Sequence, residues 1–257
     1  MIKIAFFDID GTLIPKGTHD IPTNTLEALE KLQASGVKCF IATGRSLSAL
    51  MTLGVNQFNF DGYLTLNGSL CYDSHLEKMF GLPFTEGETE VLARIFDAKK
   101  IAFEIVGEFV RYANYQSELQ KNIYSNLKLN LPSIQKYKGE KIYQICACLT
   151  PEHKSLLNDF LDESLVSEWA ENAIDIFPTN GGKQNAIKKI MEMFDIKQEE
   201  TIAFGDAEND IKMLEVVGTA VAMGNGSDEV KAVADYITTN VDDDGIGNAL
   251  RHFGLID

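Results

Sequence analysis

Short apolar runs alternate with helical stripes from the start of the chain. Ile4-Ala-Phe-Phe7 is apolar throughout, which suits a strand buried on both faces of a sheet, and Gly11 breaks the run. From Thr23 onward Leu26, Leu29 and Leu32 share one helical stripe, with Thr23 as cap and Gly36 as stop. Lys38–Ala42 then predicts a strand running into Thr43-Gly44-Arg45-Ser46 and another helical pattern. This strand, helix, strand, helix rhythm predicts a parallel sheet. Asp61-Gly62 and Asn67-Gly68 bracket a third strand, Tyr63–Leu66, after which Leu70–Tyr72 and Lys78–Phe80 read as a hairpin.

The rhythm changes over residues 82–178. Helical patterns at Thr85–Lys99 and Ser117–Leu127 sit among strands at Ile101–Val106, Phe109–Tyr112, Ile142–Leu149, Leu165–Trp169 and Ala173–Phe177. Tight turns between neighbouring strands imply an antiparallel sheet with helices on one face. The parallel rhythm returns with a helix at Lys183–Phe194, a strand at Thr201–Phe204 and a helix at Asp210–Val216. A strand at Ala220–Met223, a helix at Asp228–Ala234 and a strand at Tyr236–Thr238 follow. The expected fold class is α/β: a doubly wound, Rossmann-like parallel core from residues 1–81 and 179–257, interrupted by an inserted α+β domain at 82–178. A length of 257 residues fits two such domains.

Composition narrows the partners. Lys and Arg total 23 against 38 Asp and Glu, and a net charge of −15 argues against binding nucleic acid or an anionic membrane surface. Small soluble partners fit better. Cys39, Cys71, Cys146 and Cys148 lack C-x-x-C spacing and the four histidines are scattered, so neither a zinc site nor a disulfide framework is expected. Cys146 and Cys148 alternate within a strand pattern and read as core thiols. No apolar run reaches the 18 or so residues of a membrane span, and acids at 8 and 10 exclude a secretory signal there, so the expected location is cytoplasmic.

Candidate chemistry falls at strand ends, where a doubly wound sheet places its ligands. Asp8 and Asp10 close the first strand; side chains two apart share a face, so the carboxylates would repel one another unless a hard divalent cation such as Mg²⁺ compensates. Asp and Gly are also common in plain polar turns. Thr43, Gly44 and Arg45 follow the second strand at a helix start, suited to a phosphate oxygen, or to a simple Thr cap. Lys183 opens a helix just after Gly181-Gly182, where the helix dipole disfavours a cation unless an anion lies nearby. Asp206, Asn209 and Asp210 follow the strand at Thr201–Phe204; Asp206 could complete a metal site and Asn209 could donate to phosphate, though Asp and Asn are also ordinary caps.

Taken in order, these stretches resemble the haloacid dehalogenase-like (HAD) phosphohydrolases. Asp8-Ile-Asp-Gly-Thr12 looks like motif I, Thr43 motif II, Lys183 motif III and Gly205-Asp-Ala-Glu-Asn-Asp210 motif IV. An insert between motifs II and III resembles the Cof-type branch with its C2-class cap, and Asn67-Gly68 before the insert is familiar from that branch. The resemblance implies a Mg²⁺-dependent phosphatase acting on small phosphomonoesters: sugar phosphates, nucleotides, flavin mononucleotide or pyridoxal phosphate. It implies that Asp8 forms an aspartyl-phosphate while Asp10 protonates the leaving group and then activates water. The implied metal ligands are the Asp8 side chain, the Asp10 backbone carbonyl and Asp206. Lys183 offsets charge and, with Thr43, Gly44, Arg45 and Asn209, holds phosphate, and Asp210 supports Lys183 or a metal-bound water. An acid at position 10, where related transport ATPases have threonine, favours turnover of the intermediate. Alternatives are a phosphosugar mutase or a non-hydrolytic phospho-aspartate switch, although receiver-domain switches place the phosphoacceptor on a later strand. Glu104, Arg111, Tyr112 and Tyr115 either face the substrate or cover the cap's own sheet. The expected assembly is a monomer or homodimer.

Overall fold

The computed structural model describes residues 1–154, 157 and 165–257. In chain order, the first segment contains β1 (Ile4–Phe7), α1 (Thr23–Ala34), β2 (Lys38–Ala42), α2 (Leu47–Leu50), β3 (Gly62–Thr65), β4 (Leu70–Asp73) and β5 (Lys78–Gly81). The middle segment carries α3 (Glu86–Ala98), β6 (Ala102–Val106), β7 (Arg111–Ala113), α4 (Glu118–Asn126), β8 (Ser133–Ile134), β9 (Gln144–Cys148), α5 (Pro151–Lys154), β10 (Val166–Ala170) and β11 (Ala173–Ile176). The last segment holds α6 (Lys183–Phe194), β12 (Thr201–Gly205), α7 (Ile211–Leu214), β13 (Thr219–Ala222), α8 (Asp228–Val233), β14 (Tyr236–Ile237) and α9 (Gly245–His252). Two compact units result: Met1–Phe80 with Lys183–Asp257, and Gly81–Gly182. The division falls within the last residues of β5 and at the first residue of α6, a few residues from the ends drawn on turn chemistry.

The first unit is an α/β layer around an eight-stranded sheet ordered β14-β13-β12-β1-β2-β3-β4-β5. The pairings from β14 to β3 are parallel, and β3 pairs antiparallel with β4. β1, β2 and β12 are wholly or almost wholly buried, as their unbroken apolar runs require. The order in which strands are added reverses at β1: α1 leads to β2 on one side, while α6 leads to β12 on the other, so β1 and β12 flank the switch point where such sheets hold ligands. Phe7 and Phe204 are register partners there, their rings stacked with centroids 4.9 Å apart. This fixes the level at which the two following loops leave the sheet.

The second unit is a six-stranded sheet ordered β10-β11-β9-β6-β7-β8. Its pairs are antiparallel except β7 with β8, a two-residue edge strand too short to register as a pattern. Phe103, Ile105, Ile145 and Ile174 build a core with Leu92 and Phe96 of α3. The alternate residues Ala102, Cys148 and Ala173 pack instead with Tyr124 of α4. Helices therefore cover both faces, not one, because the second face also carries small apolar side chains. Two further expectations need correction. Phe109 and Val110 are exposed in the β6–β7 turn rather than in a strand. The chain also ends in α9, which packs on α1; Gly245 and Gly247 obscure its helical pattern.

Candidate active site

The two motif-I carboxylates follow the end of β1 and take different partners. β1 ends at Phe7, and the carbonyl of Ile9 accepts from Thr12, Leu13 and Ile14 at 3.3, 3.1 and 2.8 Å, so the chain turns back directly after the strand. Each acid finds its own cation. Asp8 is buried, and its Oδ1 accepts from Lys183 Nζ at 2.7 Å. Asp10 is half-exposed and bound by both arms of Arg45, Nε to Oδ2 at 2.7 Å and Nη2 to Oδ1 at 2.6 Å. That fork geometry fixes the plane of the Asp10 carboxyl. The pairing is invisible in the sequence, since the two residues lie 35 positions apart.

Lys183 resolves the anomaly of a cation at a helix start. It is 2 % exposed, and its ammonium also donates to Asp210 Oδ1 at 2.6 Å. Two carboxylates thus offset both the helix dipole and the desolvation cost. Burial lowers the Lys183 pKa, but Asp210 and Asp8 more than reverse this and hold it above its ordinary value. The Asp8 carboxyl is raised to about 7, first by burial, with Lys183 pulling it back and Asp210 pushing it up.

Asp210 is held by the loop after β12. Its Oδ2 accepts from the backbone N–H groups of Asp206 and Ala207 at 3.0 and 3.2 Å. A Cβ on Gly205 would lie 2.5 Å from Asp210 Cβ, so only glycine lets this side chain fold back beneath the strand end. With both oxygens engaged, Asp210 supports Lys183 and the loop. Asp206 is different. It is buried, its Oδ1 accepts from Thr12 Oγ1 at 3.1 Å, and its Oδ2 has no aligned hydrogen-bond donor. Lys16 Nζ reaches Oδ2 at 2.9 Å as an ion pair. Burial raises the Asp206 pKa, with Lys16 opposing and Asp210 adding to it.

Asp8, Asp206 and Asp210 each offer an oxygen within 4.8 Å of the others, close enough for one cation. Lys183 and two backbone N–H groups already engage both Asp210 oxygens, which leaves Asp8 and Asp206 as the better donors to a hard cation. Thr43 is buried after β2, and its Oγ1 accepts from Arg45 N at 3.2 Å. Its carbonyl accepts from Asn67 N at 2.9 Å, so the β3–β4 loop is clamped to the Thr43-Gly44 turn. Asn209 lies half-buried on the 3-10 turn Glu208–Asp210. Sequence reading missed the role of Thr12 as a donor to Asp206, and it missed Lys16, for which only the neighbouring Pro15 and Gly17 gave a turn signal. Of the cap residues singled out, Glu104 and Tyr112 are buried within the cap's own unit.

The haloacid dehalogenase-like hydrolase profile matches residues 5–250. YkrA of Bacillus subtilis, whose name gives phosphatase as a provisional function, is 32% identical over 260 residues, 99% of this chain and 98% of its own. The HMP-PP phosphatase of Klebsiella pneumoniae is 28% identical over 264 residues, 98% of this chain and 94% of its own. Among solved structures, BT1666 of Bacteroides thetaiotaomicron, a phosphatase of the HAD superfamily, superposes with a TM-score of 0.88 at 29% identity, over 100% of this chain and 96% of its own. The subclass IIB sugar phosphatase BT4131 does so with a TM-score of 0.83 at 35% identity, over 99% and 100%.

Proposed function

This chain belongs to the haloacid dehalogenase-like hydrolase family and is a Cof-type phosphatase, and from that premise we propose that it hydrolyses small phosphomonoesters through a phosphoryl group carried on Asp8, with Mg²⁺ as cofactor. One observation carries the reading. A buried carboxylate at a strand end, Asp8, is held at 2.7 Å by a buried lysine and lies within shared ligand reach of buried Asp206, whose Oδ2 is paired with the exposed Lys16. Those features are what a nucleophile facing a phosphate dianion requires.

In the first displacement an Asp8 oxygen attacks phosphorus while the bond to the leaving oxygen breaks, and the Asp10 carboxyl gives that oxygen its proton. In the second, Asp10 takes a proton from water as the water oxygen attacks phosphorus, and the bond to Asp8 breaks to release inorganic phosphate. The same group serves as acid and then base, which splitting the reaction in two makes possible. Arg45 holds Asp10 by two bonds, which orients the carboxyl for both transfers. Lys183 faces the charge that develops on Asp8, and Asp210 keeps the ammonium in place. The Thr43 hydroxyl, the Gly44 N–H and Asn209 are assigned to the phosphate oxygens. Mg²⁺ would be held by the Asp8 side chain, the Asp10 carbonyl and Asp206, and supplies charge neutralisation between nucleophile and phosphate when bound.

The substrate class is sugar phosphate, nucleotide or cofactor phosphate, in keeping with the variety of phosphate esters named for the relatives. The test is a panel of phosphomonoesters with purified protein, read as phosphate release. Release from at least one ester, lost in EDTA and restored by Mg²⁺, is the expected result. Full turnover in chelator would overturn the metal, and transfer of phosphate between sugar positions without release would replace hydrolase by mutase.

A further inference from the structure

Lys16 has no part in the chemistry above, yet its ammonium lies on the oxygen best suited to a metal. It sits at the second position of a turn in which Thr18 N donates to Pro15 O at 3.0 Å and Gly17 takes φ +86°. Gly11 N donates to Ile14 O at 2.8 Å, and Asn225 Nδ2 donates to Gly11 O at 2.8 Å, so the segment folds back with the Lys16 stem passing over Gly11. A Cβ on Gly11 would lie 2.3 Å from Asp206 Oδ2 and 2.8 Å from Lys16 Cε. The absent side chain at Gly11, whose φ of +98° also calls for glycine, therefore opens the path by which lysine meets aspartate.

The contact is asymmetric. The Lys16 side chain is 67% exposed, whereas that of Asp206 is 0% exposed. An exposed lysine gains little from an ion pair, but a fully buried carboxylate pays heavily without a partner. The lysine can swing into solvent; the aspartate cannot leave. Its ammonium also lies in the field of Asp8 and Asp10.

We infer that Lys16 is a built-in counter-ion of the metal site: it holds Asp206 in the metal-free protein and is displaced when a divalent cation binds, so that it sets how much cation is needed to load the site. The inference rests on the proposal that Asp206 is a metal ligand, and the experiment separates the two. Mn²⁺ is titrated into wild-type protein, Lys16→Met and Lys16→Arg without substrate, and free Mn²⁺ is read by electron paramagnetic resonance. Lys16→Met should bind Mn²⁺ about two- to fivefold more tightly than wild type, the range that loss of one competing ion pair allows, while Lys16→Arg stays near wild type. Melting in EDTA should be cooperative but lower for Lys16→Met, with a larger rise on adding Mn²⁺. Equal or weaker Mn²⁺ binding by Lys16→Met, with wild type binding normally, would overturn the counter-ion role alone. No Mn²⁺ binding by wild type would overturn the metal site and the counter-ion role together.

Discussion

Each unit buries a carboxylate cluster, and the two clusters are finished differently. In the cap, Glu104 is 1 % exposed and fully served: Oε1 accepts from Gln120 Nε2 at 2.7 Å and from the Tyr124 hydroxyl, and Oε2 accepts from Arg111 Nε at 2.9 Å. Arg111 also donates to the Tyr124 hydroxyl at 2.5 Å, closing the ring. In the core, Asp8 and Asp210 share one lysine, and Asp206 keeps an oxygen whose nearest cation is a solvent-exposed side chain. A buried carboxylate with both oxygens held by neighbours of its own unit completes a fold. One whose counter-ion is a solvent-exposed side chain can exchange that partner.

The contrast is widest when each cluster loses its cation. Lys183→Met leaves buried Asp8 and Asp210 without their shared cation, so turnover should fall by about 10³-fold or more and stability by about 3–5 kcal/mol. Arg111→Met removes a half-exposed partner while Gln120 and Tyr124 still serve Glu104, which should cost about 1 kcal/mol and leave turnover of an aryl phosphate within about twofold. Thermal melts with parallel rate measurements check both. A comparable loss of turnover in Arg111→Met would erase the distinction between the clusters.

A smaller effect belongs to the cap's other acid. Asp175 is register partner to Cys146, which in turn pairs with Glu104, and burial raises its carboxyl to about 7 with the Cys146 contact opposing. The unfolded chain titrates near 4, so between about pH 4 and 7 the folded state holds a proton that the unfolded state has lost. Its contribution to stability therefore falls as pH rises through that window and levels off above it. Asp175→Asn should flatten this dependence, reducing the difference in unfolding free energy between pH 5 and pH 8 by about 1–2 kcal/mol relative to wild type. An unchanged difference would place the titration elsewhere.

Much of the core was legible because apolar runs and helical stripes report burial directly. Ile4–Phe7, Lys38–Ala42 and the helix Lys183–Phe194 appear in the fold with the ends their patterns gave. The helix-start lysine was also readable as a cation waiting for an anion, and Asp8 and Asp210 are that anion. What stayed hidden depended on side-chain reach across the fold. The Arg45–Asp10 fork, the Thr12–Asp206 bond and the Lys16–Asp206 pair join residues 35 to 194 positions apart, and local pattern carries no trace of them. In the cap, Glu104 could be read either as facing the substrate or as covering the cap's own sheet, and Asp175 only as strand, since period 2 says that a side chain alternates but not what covers it. Spacing two apart at the end of the strand marked the two acids but not their direct partners, Lys183 for Asp8 and Arg45 for Asp10.

If Asp8 alone carries the phosphoryl group while Asp10 handles protons, removing Asp10 should trap the phosphorylated enzyme. Asp10→Asn is incubated with an activated aryl phosphate and Mg²⁺, quenched rapidly in acid, and analysed by intact mass and peptide mapping, with Asp8→Asn treated in parallel. Loss of acid/base help should slow turnover by about 10²–10⁴-fold yet leave the nucleophile in place, so a covalent phosphoryl adduct should accumulate on the peptide containing Asp8 and be absent from Asp8→Asn. Phosphate mapped to any other residue, or undiminished turnover in Asp8→Asn, would contradict the account.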